Sequence, residues 1–126
     1  MPAQMPTIEQ ILDMMSQKLG GYENIPDAIK YAKDVAPEII LNVAMSSMDS
    51  VNDENSPFDP KTRTILFLTA ALAMKDEECI KAQLNAALTA GATKDELVAV
   101  IKIVRHAANN GMIGAAAPIL KALAGR

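Results

Sequence analysis

Hydrophobic positions recur along this chain at intervals of three and four, the spacing that gathers side chains on one face of a helix, and no convincing period-2 strand interrupts them. In "TIEQILDMMSQKLGG", Ile8, Ile11, Leu12, Met15 and Leu19 share such a face. Thr7, with Gln10 three residues later, predicts a capping box at its start, and Gly20-Gly21 supply the stop. Pro26 opens a second helix at its first position; Pro37 must end or kink it, because its ring fixes φ and removes an N–H. A third helix, from about Pro37 to Ser50, has Ile40, Val43, Ala44 and Met48 on its apolar side. "VNDENSPFDP" is the one clear loop, dense in turn formers. Asp59 and Pro60 then read as N-cap and first residue of a helix reaching about Met74, and a fifth helix starts near Asp76 and stops at Gly91.

A second capping box, Thr93 with Glu96, opens a sixth helix striped by Leu97, Val100, Ile101, Val104 and Ala108. Val98, Ala99 and Ile103 make it apolar nearly all round, so other helices or another subunit should enclose it. Gly111 and Gly114 are expected to separate it from a last helix around Ala115 to Ala124. The predicted fold class is all-α, with about seven helices and a central antiparallel pair from Pro60 to Ala90. With no repeat and no linker in view, residues 1–126 read as a single domain.

Composition narrows the function classes. Half the residues are apolar, yet only Tyr22, Tyr31, Phe58 and Phe67 are aromatic, so alanine, leucine, isoleucine and methionine must fill the core. The net charge is −3 and no basic run occurs, which leaves out the cationic face and stacking platforms that a nucleic acid needs. The longest apolar run, Thr64 to Met74, is far shorter than the roughly 20 residues of a membrane span. The opening "MPAQMPTIEQ" lacks the basic-then-apolar pattern of a signal peptide. One cysteine rules out an intrachain disulfide, and a cytoplasmic location is the default expectation. Neither a metal nor a cofactor is expected.

From Asp59 to about Leu123 the chain resembles the carboxymuconolactone decarboxylase family, which includes the alkyl hydroperoxide reductase D-like (AhpD-like) proteins. The stretches that carry the likeness are "DPKTRTILFLTAALAM", "CIKAQLNAALTAGATKDELVAVI" and "NGMIGAAAPIL", with "AALTAGATKDEL" the most specific. The resemblance implies an AhpD-like helical fold and a homo-oligomer, trimer or hexamer. Redox members carry a Glu on the first helix of the central pair, and Cys-x-x-Cys-x-x-x-His at the start of the second. On this chain those positions fall on Thr64, Asp76, Cys79 and Gln83, so one of the four chemical groups remains and the redox motif is degenerate.

Cys79 reads either as a small core residue or as a pocket-lining thiol; Asp76, Glu77 and Glu78 crowd its turn and disfavour the thiolate. Asp76 reads more simply as an N-cap than as an acid catalyst. Gln83, one turn after Cys79, and Thr64 can orient a ligand by hydrogen bonds but cannot relay a proton. His106, the only histidine, sits in "VRHAANNG" with Arg105 and Asn109. Arg105 and His106 can simply complement the negative end of their helix. Alternatively Arg105 and Asn109 hold a carboxylate while His106 moves a proton. Decarboxylase members have a Gly- and Pro-containing segment after an aromatic residue here, whereas this chain has Asn109-Asn110-Gly111-Met112-Ile113. The leading expectation is a family member without a two-cysteine peroxidase centre, binding a small acid or other small molecule between helices. The alternatives are a decarboxylase- or isomerase-type enzyme built on His106 and Arg105, a structural oligomer without a pocket, and a one-cysteine thiol activity formed across subunits.

Overall fold

A computed structural model describes residues 5–126; Met1–Gln4, part of the opening stretch with no leader pattern, lie outside the described residues. The described chain folds into seven α-helices and one 3-10 turn, Tyr22–Asn24. Helix α1, Ile8–Leu19, begins at the capping box: Gln10 N–H donates to Thr7 Oγ1 at 3.2 Å and Thr7 N–H to Gln10 Oε1 at 2.9 Å. It ends because Gly20 adopts φ 83°, a left-handed conformation that costs glycine little. Helix α2, Asp27–Val35, follows Pro26, which serves as the cap outside the helix and not as its first turn. Only Ala36 separates α2 from α3, Pro37–Met48, so Pro37 both ends one helix and opens the next.

Helices α4, Pro60–Met74, and α5, Glu77–Thr89, form the closely packed antiparallel hairpin expected at the centre. Asp59 caps α4 by accepting from Thr62 N–H at 2.7 Å, and Asp76 caps α5 by accepting from Cys79 N–H at 3.2 Å. Helix α1 packs on α5, with α3 against α1 and α2 against α3. Their shared core is Ile11, Leu12, Leu19, Ile25, Ile40 and Ala82, where alanine allows close helix approach. On the other side α4 packs against α6, Lys94–Ala115, which its own Thr93–Glu96 capping box starts. Lys61 pairs with Glu96 at 3.0 Å across that contact. Helix α7, Ala117–Ala124, packs back on α6.

The end of α6 corrects one expectation. Gly111 and Gly114 do not end α6, which continues through both to Ala115. An interior glycine costs roughly 1 kcal/mol relative to alanine but need not break a helix; Pro118 in the first turn of α7 marks the real boundary. Arg105 and His106 therefore lie well inside α6, and the helix-end explanation for their charge fails. Within the single chain other helices leave much of α6 uncovered, which leaves the second half of the expectation for that helix, cover by another subunit, in place: Val100 alone is buried, while Ile101 and Ile103 are 58% and 64% exposed. Among the described residues no helix is long and apolar enough to cross a membrane.

Candidate functional site

The central hairpin and the α1–α3 layer leave a cleft of about 740 Å³ between them. Its walls are mainly apolar, contributed by Met15, Ile29, Val43, Phe67, Ala82 and Ala86. Such a concave apolar space with a few convergent polar groups is the usual form of a small-molecule site.

Thr64, Cys79 and Gln83 all line this cleft. Thr64 Oγ1 donates to the Pro60 carbonyl at 2.9 Å, so its hydroxyl proton is engaged and the oxygen is left as an acceptor. Cys79 is half-buried in the first turn of α5. Burial, then the hydrogen bond and charge of Asp76, and the charge of Glu78 push its thiol above the ordinary range. Backbone and side-chain hydrogen bonding at Cys79 hold the Asp76 carboxyl below its ordinary value. A carboxylate that is kept ionised beside a thiol that is kept protonated is the reverse of an activated nucleophile.

Arg105, His106 and Asn109 are not in the cleft. All three are exposed on α6, and His106 Nε2 lies 3.2 Å from Asn110 Nδ2. The structure thus places Thr64, Cys79 and Gln83 along the lining of one cleft and leaves the α6 cluster on a different surface. Among the described residues no group of three His, Cys, Asp or Glu side chains converges as a metal would require.

The sequence reading missed two cleft residues, Lys18 at the end of α1 and Arg63 in the first turn of α4. Lys18 Nζ donates to Asn52 Oδ1, whose amide donates in turn to Ser47 Oγ, and Arg63 Nη1 donates to the Asp53 carbonyl. These bonds tie Asn52 and Asp53 of the 49–59 loop to the two cations. Arg63 did carry a signal: a cation near a helix N-terminus opposes the macrodipole, and so asks for another reason to be there. Lys18 carried none, since a basic residue in a last turn is ordinary.

The profile of the carboxymuconolactone decarboxylase family matches residues 41–122, from α3 to α7 and across both hairpin helices. Among curated proteins none matches the chain significantly.

Proposed function

Because the chain belongs to the carboxymuconolactone decarboxylase family, we propose that it is a binding member of that family, holding a small organic molecule in the cleft between the α4–α5 hairpin and the α1–α3 layer, and lacking a dithiol peroxidase centre. The observation that carries this reading is the grouping of Thr64, Cys79 and Gln83 on one apolar cleft. At the positions where the resemblance implies Glu and His, this cleft has a hydroxyl and an amide, which fix orientation without moving protons. The chain has no second cysteine to resolve an oxidised Cys79. The exposed apolar side chains of α6 and α7 support assembly of the protein as a homo-oligomer in which that surface is covered.

The test uses N-phenyl-1-naphthylamine, a neutral apolar dye that brightens when it leaves water. It should bind with a stoichiometry of one per chain, and Gln83→Trp, which places a large side chain in the cleft, should abolish the signal without loss of helical content. Undiminished binding to that variant would put the ligand elsewhere and overturn the reading.

A further inference from the structure

The cleft is charged unequally along its length. Gly20 lies against the end of α5, where an added Cβ would stand 3.3 Å from Thr89 Oγ1, so the last turn of α1, with Lys18, abuts the C-terminal end of α5. Arg63, in the first turn of α4, reaches the same end because α4 and α5 run antiparallel. The cleft acids Asp76 and Glu78 sit at the opposite end of α5. From Asp76 to Thr89 the helical rise of 1.5 Å per residue amounts to about 20 Å.

We infer that the Lys18–Arg63 end of the cleft is an anion seat, and that the molecule bound there is an elongated organic anion, its carboxylate or comparable acidic group between the two cations and its apolar body along Phe67, Ala82 and Ile29. The inference rests on the cleft being the binding site. Neither cation is paired with a carboxylate within salt-bridge distance among the described residues, where the two close pairs are Lys61–Glu96 and Lys81–Glu78. The protein engages Lys18 through Asn52 and Arg63 through the Asp53 carbonyl, both neutral acceptors. An ammonium has three N–H donors and a guanidinium five, so capacity remains on each. Arg63 lines the cleft, and its Nε is buried with no hydrogen-bond partner among the described residues, so the fold leaves the guanidinium incompletely bonded.

The two cations also oppose each other. Burial first, then the Arg63 charge, pushes the Lys18 ammonium below the ordinary lysine range, with Glu54 pulling in the other direction. An anion seated between them relieves that repulsion and replaces lost solvation with charge-assisted hydrogen bonds. A neutral ligand of the same shape gains neither. The apolar walls then select for a hydrocarbon body, which inorganic phosphate or sulfate lacks.

The experiment compares two dyes of one skeleton, 8-anilinonaphthalene-1-sulfonate, an anion, and the neutral N-phenyl-1-naphthylamine. The anion should bind about tenfold more tightly, and Lys18→Met and Arg63→Gln should each weaken it about tenfold while leaving the neutral dye almost unchanged. Lys18→Arg and Arg63→Lys, which keep the charge, should retain most of the anion's affinity. Equal affinities of the two dyes, or anion binding indifferent to both neutral variants, would overturn the inference while the cleft reading stood. If the neutral dye fails to bind the wild-type protein, or Gln83→Trp spares both dyes, the cleft reading falls and this inference with it. Should a neutral variant also lose the neutral dye through misfolding, the wild-type salt dependence decides. Anion affinity that falls with ionic strength while the neutral dye's does not supports the seat, and parallel behaviour refutes it.

Discussion

Seven side chains on α6 and α7, Ile101, Ile103, Met112, Ile113, Ile119, Leu120 and Leu123, are between 52% and 74% exposed in the single chain. Fully burying a residue of this size is worth roughly 1.5–3 kcal/mol, so covering what remains exposed is worth about 1–2 kcal/mol each. Together that is on the order of 10 kcal/mol for each protomer, an upper figure because it takes every one of the seven as fully covered. Association costs about 4–15 kcal/mol in lost freedom, so the surface is large enough to hold an oligomer but without a wide margin. Replacing Ile113 and Ile119 by lysine removes two apolar contacts and asks two ammonium groups to leave water. A penalty of about 3 kcal/mol or more, over a hundredfold in dissociation constant, should follow. Both positions are exposed, so the fold itself should survive, as circular dichroism would show. Sedimentation velocity at micromolar concentration should give the wild type a mass several times 13.4 kDa and the double variant a mass near 13.4 kDa. A wild-type monomer, or a double variant as large as the wild type, would refute the reasoning.

Cys79 should be alkylated by iodoacetamide more slowly than a free thiol, of which roughly a tenth is thiolate at pH 7.5. Because folding raises its pKa, the rate should keep climbing with pH beyond the ordinary thiol range, and Asp76→Asn, which keeps the cap but drops the charge, should accelerate it; a rate at or above the free-thiol value would contradict the site's electrostatics. Lys75 ends α4 at φ 56°, a left-handed conformation that L side chains resist, so Lys75→Gly should raise stability by about 0.5–1 kcal/mol in urea unfolding, and a loss of stability would show that its side chain holds the turn.

What the sequence could convey depended on how far apart the interacting residues lie. Both capping boxes were legible because their partners are three residues apart and each needs only its own backbone. The hairpin was legible because Asp59-Pro60, Asp76 and Gly91 punctuate it locally. The sixth helix misled at Gly111 and Gly114 because a glycine's cost is small beside that of breaking the cooperative ladder on either side. Thr64, Cys79 and Gln83 were found through the family resemblance, whose motif spans the hairpin, and two helices suffice to set all three along one cleft. Lys18 was out of reach, since its hydrogen bond runs to Asn52 across two intervening helices and the charge that acts on it, Arg63, lies further on still.

The distribution of charge bears on chemistry as well as recognition. A general acid or base must lie within hydrogen-bond reach of the proton it moves, about 3 Å, or one water beyond that. In this cleft the two cations stand towards the C-terminal end of α5 and the two carboxylates, Asp76 and Glu78, at its N-terminal end, and the helix between those ends is about 20 Å long. The other polar groups the cleft keeps at the motif positions, Thr64 and Gln83, do not titrate in the physiological range. A ligand whose acidic end is held by Lys18 and Arg63 would place its far end near Cys79, beside a thiol that burial and Asp76 keep protonated. Anchoring and proton transfer are thus separated along the cleft: the end that can hold an anion offers cations, and the end that holds the thiol offers it no base poised to accept its proton. For the elongated anion proposed above, that arrangement would favour retention over conversion, and it would place any thiol chemistry on the side of the ligand away from its charge.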